Sequence, residues 1–370
     1  MLNDMRRSHL ASSGLVAILL AACSAPPTET GPSATITASP APTPSASTAA
    51  PSTMPTATPE REPLAWGRLE AGGPAGPAAR EDHTWTLDGA GEVAYLFGGR
   101  DGATIFDDTW AFDLGADTWT RLAPPSAPPA RFGHEAVWVD EIGLVVFAGQ
   151  ADPQTFFNDL WAYDPVANAW GELPASGAIP IPRYGSCAAV GPDGRLWISH
   201  GFTEEQTRFF DTRAYDFVGG SWTDETPTDG PRPVERCLHG CWWTDSGELA
   251  LYAGQTTGVV ALDDRWILSD GAWSRVEGAL PPARNLYARA RQGGGTIVFG
   301  GLALDETYLA DLWLLEDGAV DAQAIEPAGD PPPGRAGAEL IVDVGRSRAL
   351  LFGGRGADGA LADLWILGGL

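Results

Sequence analysis

Six arginines recur along this chain at a nearly constant interval. They are Arg80, Arg131, Arg183, Arg236, Arg284 and Arg335, and subtraction gives spacings of 51, 52, 53, 48 and 51 residues. A guanidinium group can hold a carboxylate through two parallel hydrogen bonds, so a ring of such arginines could bind an acidic ligand. Alternatively, each arginine pairs with a neighbouring aspartate or a loop carbonyl and stabilises its own repeat. The six arginines are therefore candidate ligand-binding residues, with the structural role left open.

Histidines follow three of these arginines at one fixed offset. His83, His134 and His239 each come three residues later, and this regular placement favours a structural role over acid–base or metal chemistry. His200 differs because it stands where other repeats have the first glycine of a Gly-Gly pair, so it is a further candidate ligand-binding residue. Glu135 follows His134 directly, and neighbours on a strand point to opposite faces. We do not expect these two to act together, and we predict no catalytic residue.

Three cysteines, Cys187, Cys237 and Cys241, lie in the middle of the chain. The run Cys237–Cys241 also contains a histidine, but two thiols and one imidazole on a single strand do not converge on zinc without a bend. If these thiols lie in an oxidising compartment, a disulfide between two repeats is their expected use, with one thiol left free. The sequence does not fix the pairing. Acidic pairs such as Asp107–Asp108 are expected to be turn residues, and we predict no metal and no cofactor.

Composition excludes several classes of function. The chain has 370 residues, a formal net charge of −25 and no lysine. Without lysine, Schiff-base and lysine-nucleophile chemistry are excluded. The strong acidity argues against nucleic acid as a partner, because phosphate binding needs a basic face.

The elements that position the arginines are short strands. The stretch from Arg131 to Leu173 contains four strand-like runs: Phe132–Val139, Leu144–Ala148, Leu160–Tyr163 and a run around Trp170. The continuous apolar second run suggests a strand covered on both faces. One sheet of this size cannot bury both faces, so it needs neighbouring copies of itself.

Those copies are present, because each arginine is followed by an apolar run that ends in glycine and then by an acidic–Trp strand. The acidic residue and the aromatic recur as Asp108 and Trp110, Asp159 and Trp161, Asp264 and Trp266, Asp311 and Trp313, and Asp363 and Trp365, whereas the third repeat has Asp211 and Arg213. A fourth strand carries Trp119, Trp170, Trp222 or Trp273, and the fifth repeat offers Ala324 and Ile325 instead. The sixth repeat stops after its third strand, and Leu64–Leu69 has the form of the missing fourth strand.

These residues resemble the kelch family. Its repeat of about 50 residues has a hydrophobic run that ends in Gly-Gly and is followed by two spaced aromatic residues. The resemblance covers about residues 64–370. It implies an all-β fold: a six-bladed β-propeller with four antiparallel strands per blade, closed by an N-terminal strand (about 64–70) that completes blade six. The inner strands, beginning at the arginines, would line the channel. In some kelch domains that this chain resembles, arginines near the starts of inner strands hold acidic peptide side chains or sugar carboxylates.

The first 63 residues are expected to lie outside this domain. Arg6 and Arg7, a short apolar run and Leu20-Ala21-Ala22-Cys23 resemble a bacterial lipoprotein signal, which predicts a signal peptide at 1–22 and a lipidated Cys23. Residues 23–63 are rich in Pro, Thr, Ser and Ala and are expected to form a disordered tether. The sequence thus predicts export and lipid anchoring to the bacterial cell envelope.

The expected function is that of a membrane-tethered binding module for a protein or carbohydrate ligand. The ligand would meet the face where the loops from strand four to strand one and from strand two to strand three emerge, together with the channel mouth. The alternative is a carbohydrate-active enzyme similar to a sialic-acid epimerase or mutarotase. A copper radical enzyme similar to galactose oxidase is disfavoured, because six repeats and the absence of a matching motif do not fit it.

Overall fold

The computed structural model describes residues 63–72, 75–204, 207–258 and 260–370. The predicted signal peptide, Cys23 and the tether lie outside these residues. The described chain is an all-β propeller of six sheets, each built on four antiparallel strands, so the predicted fold is confirmed. The sheet that contains Cys187 has a fifth, parallel strand of two residues at its outer edge.

Every blade runs from an inner strand at the channel to an outer strand at the rim. The inner strands are Thr84–Leu87, Glu135–Val139, Cys187–Val190, Gly240–Trp243, Ala288–Gln292 and Glu339–Asp343. The second strands are Val93–Phe97, Gly143–Phe147, Leu196–Phe202, Leu249–Thr256, Gly295–Leu302 and Arg348–Phe352. The third strands are Thr109–Asp113, Leu160–Asp164, Arg208–Asp216, Val260–Ser269, Tyr308–Glu316 and Leu364–Gly368.

The outer strands are Thr118–Arg121, Ala169–Glu172, Ser221–Asp224, Ala272–Val276, Gln323–Ile325 and Ala65–Leu69. The last of these pairs antiparallel with Leu364–Gly368, so the sixth sheet combines residues from both ends of the described chain. Small additional strands are Gln150–Asp152 with Thr155–Phe156, Arg355–Gly356 with Gly359–Ala360, and Ser176–Gly177. Val344–Arg346 forms one turn of 3₁₀-helix.

Apolar second strands and outer-strand tryptophans form the core between blades. All five residues of Gly143–Phe147 are buried, as expected for a strand that is covered on both faces. Trp170 packs on Phe97 of the preceding blade with ring centroids 5.0 Å apart, and Trp222 packs on Phe147 at 5.2 Å. At these positions the tryptophans of the outer strands therefore make contacts between blades.

A closed ring of backbone hydrogen bonds joins the six blades at the channel. The second residue after each arginine donates its N–H to the carbonyl of its counterpart in the preceding blade, over distances of 2.7–3.1 Å. The members are Asp82, Gly133, Gly185, Leu238, Leu286 and Gly337, and the bond from Asp82 to Gly337 closes the circle. We call this set the channel ring.

The channel ring corrects the prediction that inner strands begin at the arginines. Each ring residue has a positive φ, between 53° and 62°, which breaks the extended conformation just after the arginine. In every blade the regular inner strand therefore starts four residues after the repeated arginine. Because the ring residue directs its hydrogen bonds sideways to another blade, it cannot also continue the ladder of its own blade.

Candidate functional site in the central channel

The six repeated arginines are buried and use their side chains within the blades. In the first blade, Arg80 donates to both carboxylate oxygens of Asp108 at 2.7 and 3.0 Å, and also to the carbonyls of Ala78 and Gly98. Its guanidinium also lies 4.1 Å from the ring centre of Phe106. The other five arginines make the same two-pronged bond, to Asp159, Asp211, Asp264, Asp311 and Asp363. This geometry supports the structural role, and a ligand-binding role stays a prediction.

Each aspartate also accepts a hydrogen bond from a second side chain. In the third blade this side chain is of a different type from that in the other five. In five blades the indole N–H of the tryptophan two residues later donates to the aspartate, as Trp110 does to Asp108 at 2.7 Å. In the third blade Arg213 stands in the tryptophan position and donates its Nε–H to Asp211 at 3.1 Å. Arg213 therefore replaces the tryptophan of the other repeats and still donates a hydrogen bond to the aspartate.

Five of the six aspartates are held in their charged form. Burial alone would raise the pKa of Asp108, but the hydrogen bonds and charge of Arg80 outweigh it and hold the pKa below its ordinary value. The pKa is lowered in the same way at Asp211, Asp264, Asp311 and Asp363. In these five pairs the negative charge of the aspartate therefore balances the positive charge of the arginine inside the blade.

His200 is built into the junction between the third and fourth blades. It has a φ of 59°, like Gly98 and Gly353 at the same place in other blades, and its carbonyl accepts a hydrogen bond from Arg183 at 2.8 Å. The Nδ1 atom lies 2.6 Å from Ser199 Oγ, and the ring packs edge-on against His239. Burial, with the nearby charge of Arg236, lowers the pKa of His200 to about 3. Its proposed ligand role is not tested by these contacts.

The three regularly placed histidines lie behind the channel ring. His83, His134 and His239 are all buried, and burial is the main cause of their lowered pKa. His134 contacts Thr84 of the neighbouring blade through Nε2 at 2.9 Å. A neutral imidazole that packs between blades has the structural role that its regular placement predicted.

The cysteines join two blades. Cys187 and Cys241 form a disulfide between the inner strands of the third and fourth blades, with their Cα atoms 5.6 Å apart. Cys237 is the buried free thiol, and burial raises its pKa to about 11. The predicted inter-blade bridge with one free thiol is present, and the structure supplies the pairing that the sequence left open.

Two cavities occupy the central channel on either side of one layer of charged residues. The larger has a volume of about 510 Å³, and its lining extends from this layer to the ends of the inner strands that turn into the second strands. The smaller has about 60 Å³ and is lined by the channel ring and the histidines behind it. Glu135, Arg289 and Glu339 line both cavities, so they form the floor of the larger one. We call these three residues the channel floor.

The channel floor joins blades that lie opposite each other. Arg289 of the fifth blade donates to Glu135 of the second blade at 3.2 Å, and the two side chains are 21% and 18% exposed. Glu339 of the sixth blade has no hydrogen-bond or ion-pair partner among the residues that the structure describes. Burial raises the pKa of Glu339 to about 8, against the opposing effect of Arg289 and with a further increase from Glu135 and Asp82. Burial likewise raises the pKa of Glu135 to about 6, although Arg289 opposes it.

Gly240 makes room for the arginine of the floor. A Cβ atom at this position would lie 2.5 Å from Tyr287 Oη and 2.6 Å from Arg289 Cδ. The Gly240 N–H donates to Tyr287 Oη at 2.7 Å, and that hydroxyl donates to the Tyr252 carbonyl at 2.8 Å. The fourth and fifth blades therefore meet closely enough to direct Arg289 across the channel.

A second charged cluster lies at the loop-face end of the channel. Arg100 approaches Asp82 at 2.9 Å and Glu81 at 3.3 Å, and Arg355 approaches Glu81 at 2.8 Å. Burial raises the pKa of Asp82 to about 6, although Arg100 opposes this shift. The two carboxylates and the two arginines therefore balance each other in charge between the first and sixth blades.

Sequence reasoning missed the channel floor, although the aligned repeats contain a signal. Four residues after the arginines, the chain has Thr84, Glu135, Cys187, Gly240, Ala288 and Glu339. Two carboxylates thus occupy a position that otherwise holds small residues. One residue later, Arg289 is the charged member of a set that is otherwise apolar or aromatic. A search for departures within each repeat position would have found all three.

The loop face carries a group of exposed apolar side chains around the third and fourth blades. Ile179 and Ile181 precede the third blade, and Phe210 lies near the start of that blade's third strand. Val234 precedes the fourth blade and Val260 begins that blade's third strand; each of the five is at least 41% exposed. Arg232 stacks on Phe210 at 4.0 Å, which connects two of these loops. We call these five apolar residues the loop-face patch.

Two further findings concern metal binding and membrane-spanning helices in the described residues. They contain no group of three or more His, Cys, Asp or Glu side chains arranged to hold a metal ion. No helix in the same ranges is long and apolar enough to cross a membrane.

Comparison with known proteins shows the relationships of the chain. Residues 59–254 match the family model described as the KLHDC2/KLHL20/DRC7 Kelch-repeats domain. Adagio protein 3 of Arabidopsis thaliana is 27% identical over 330 residues, which cover 83% of this chain and 51% of that protein. Adagio-like protein 1 of Oryza sativa subsp. japonica is 28% identical over 323 residues, 80% of this chain and 50% of that protein. Multiple epidermal growth factor-like domains protein 8 of Homo sapiens is 30% identical over 177 residues, 44% of this chain and 6% of that protein. The chain spans about half the length, or less, of these curated relatives.

Proposed function

Because the chain belongs to the kelch-repeat family, we propose that its propeller is a binding module whose protein partner docks on the loop face. The kelch propeller is a general protein-interaction fold, which supports binding as the class of function. The partner and the location in the cell are part of the proposal.

The loop-face patch is the observation that carries this function. Val166, Val218, Val320 and Val344, which are exposed on the opposite face, lie in separate tight turns of different blades. The loop-face patch instead combines five apolar residues from the loops and strand starts of two neighbouring blades with an arginine stacked on an aromatic ring. Aromatic residues and arginine are enriched in protein–protein interfaces, so this surface suits a protein partner better than a sugar.

Export and membrane tethering form the second part of the proposal. The Leu20–Cys23 motif, which lies outside the described residues, predicts lipidation of Cys23. The Cys187–Cys241 disulfide supports an oxidising compartment, where such bonds persist. Metabolic labelling with a fatty-acid analogue should mark the native chain and not the Cys23→Ala variant. Equal labelling of the two would refute the anchor.

Photo-crosslinking in the native cell tests the docking surface. A photoreactive amino acid replaces Phe210 or Ile181 in the patch, and Val218 or Val166 serves as the matched control on the opposite face. We expect one shared protein adduct from the two patch positions and its absence from the two controls. The same adducts from both faces, or none from the patch, would refute the docking surface.

A carbohydrate-active enzyme is the second candidate, favoured by the channel floor. Glu339 and Glu135 have pKa values of about 8 and about 6, so one carboxyl is protonated while the other is largely charged at neutral pH. Such a separation suits a general acid and a general base. Proton NMR of freshly dissolved sugars, including N-acetylneuraminate, tests whether the chain accelerates interconversion of anomers. Loss of the acceleration in Glu339→Gln would support the enzyme, and no acceleration by the native chain would refute it.

A further inference from the structure

The large channel cavity has the size and position of a small-molecule site separate from the loop-face patch. Its volume of about 510 Å³ falls within the range of ligand pockets, roughly 300–1,000 Å³. The channel ring and the cluster around Asp82 narrow the channel on the loop-face side, where only about 60 Å³ remains. A ligand would therefore enter from the face that carries the turns between first and second strands.

The channel floor offers unused hydrogen-bonding groups of both kinds. Arg289 makes one hydrogen bond with its five N–H donors among the described residues, to Glu135. The Glu339 carboxyl has no protein partner in the same part of the chain, and Glu135 accepts from Arg289 alone among those side chains. Donors and acceptors thus lie side by side at the closed end of the cavity.

The walls add aromatic surface above this floor. Trp138 and Trp243 are half-buried residues of the cavity lining, and each is held by a neighbouring ring: Tyr95 stacks on Trp138 at 5.7 Å and Trp197 meets Trp243 edge-on at 5.3 Å. Rigid aromatic walls with a few convergent polar groups are typical of sites for small organic ligands.

The balance of charge selects the class of ligand. Glu135 and Arg289 form one ion pair, so an anionic ligand would compete with Glu135 for the guanidinium and lie beside Glu339. A cationic ligand would meet Arg289. A metal ion is disfavoured because the described residues offer no cluster of three suitable ligands. Hydroxyl groups, which donate and accept and carry no charge, fit all three residues of the floor.

We propose that the channel cavity binds an uncharged sugar, whose hydroxyl groups hydrogen-bond to Arg289, Glu135 and Glu339 between the tryptophan walls. This site is independent of the loop-face patch, and it does not require that the bound sugar react. It rests on the second candidate function only where that function concerns uncharged sugars, and it names where such a sugar binds.

Protonation of Glu339 gives the proposal a specific signature. Arg289, Glu135 and Asp82 are the charged groups that act on this carboxyl, and burial raises its pKa to about 8. A neutral carboxyl can donate to a sugar hydroxyl, whereas an ionised one can only accept. If only the neutral form binds, the fraction competent to bind falls about tenfold from pH 7 to pH 9, and the apparent Kd rises by the same factor.

Calorimetry and tryptophan fluorescence on the full chain test the site. The neutral probes are maltose, cellobiose, lactose and N-acetyl-D-glucosamine, and the charged probes are D-glucosamine and D-glucuronate. We expect saturable binding of at least one neutral probe, weakened about tenfold between pH 7 and pH 9. The affinity of Glu339→Gln should not change between pH 7 and pH 9, whatever its absolute value. Arg289→Gln should weaken binding at least about tenfold, the effect of one lost charged hydrogen bond. The matched control is Glu277→Gln on the exposed rim, which should behave like the native chain.

Three outcomes would overturn the proposal. They are the absence of saturable binding for every neutral probe, tighter binding of D-glucosamine with an affinity that rises with pH, and tighter binding of D-glucuronate. If Arg289→Gln unfolds, the pH profile of Glu339→Gln still decides the matter. Loss of the loop-face crosslink with intact sugar binding would refute only the docking surface, and the reverse result would refute only this site.

Discussion

Arg289 and Glu135 meet at 3.2 Å across the channel, although they lie on the inner strands of the fifth and second blades and are separated by 154 residues. In a ring of six blades, these two blades are opposite each other. The pair therefore depends on closure of the whole propeller. It also depends on Gly240, which leaves the space that the arginine side chain crosses.

Substitution of Gly240 by alanine should therefore disturb the channel floor. The added methyl group would lie 2.5 Å from Tyr287 Oη and 2.6 Å from Arg289 Cδ, and overpacking of this kind costs about 1–3 kcal/mol. We expect Gly240→Ala to lower the free energy of unfolding in urea by about 2 kcal/mol. It should also abolish the sugar binding proposed for the channel.

Gly171→Ala is the matched control. Gly171 also lies in a strand, and a Cβ atom there would meet nothing within 4 Å. We expect a change within about 0.5 kcal/mol of the native stability. Equal losses of stability in the two variants would show that the loss comes from replacing any strand glycine by alanine. It would then not come from contact between the added methyl group and Arg289.

Removal of the aspartate from one repeated pair should leave a buried, unpaired arginine. Arg80 is fully buried and donates to both oxygens of Asp108, so Asp108→Ala should destabilise the propeller by about 3–5 kcal/mol, measured by urea unfolding. The control is Glu70→Ala, which breaks an exposed pair with Arg68 and should change stability by less than about 1 kcal/mol. A similar small change in both variants would contradict the structural role of the repeated arginines.

The repeats made the fold predictable, because each local pattern recurs six times and only neighbouring copies can cover both faces of such sheets. The aspartates that pair with the arginines were predictable too, as Asp108 and its counterparts occupy one position in every repeat. The start of the inner strands was not predictable from this pattern. The positive φ of Leu238 and Leu286 follows from hydrogen bonds between blades, because leucine does not favour that conformation.

The channel floor could not be assembled from the sequence for a different reason. Glu135, Arg289 and Glu339 belong to three separate repeats, and the repeat pattern predicts no contact between blades that are not neighbours. Their proximity follows from the closed ring and from Gly240. The pKa of Glu339 depends on the loss of water around the carboxyl inside the channel of that ring, which no local pattern encodes.

The inter-blade disulfide should stabilise the propeller mainly through the unfolded chain. Cys187 and Cys241 are separated by 54 residues, and the loss of loop-closure entropy for such a loop corresponds to about 4 kcal/mol. We expect the double variant Cys187→Ala with Cys241→Ala to lose about 2–4 kcal/mol in urea unfolding. Cys237→Ala removes a buried free thiol and is the control, with an expected loss of about 1 kcal/mol or less. Equal losses would contradict the pairing.

Acid should destabilise the propeller as pH falls below the ordinary histidine pKa. His83, His134, His200 and His239 have a lowered pKa in the folded chain, chiefly because of burial. As pH falls from 6.5 towards 3, the unfolded chain binds protons that the folded chain does not, so stability is lost. The slope should reach about 1.4 kcal/mol per pH unit for each histidine. His239→Gln should reduce the slope, measured by urea unfolding between pH 6.5 and pH 4.5, by up to about 1.4 kcal/mol per pH unit, and an unchanged slope would contradict the assignment.

Glu339 should impose the opposite dependence at higher pH. Its pKa is raised to about 8 in the folded chain from an ordinary value of 4.5, so the folded chain holds a proton that the unfolded chain has released. The contribution is fully present below pH 4.5 and is lost as pH rises through 8. Glu339→Gln has no such proton, so its stability relative to the native chain should increase between pH 5 and pH 8 and then level off. Urea unfolding at intervals across this range measures the difference. Glu277→Gln, on the exposed rim, is the control, and the same pH profile for the two variants would refute the proton-holding state of the Glu339 carboxyl.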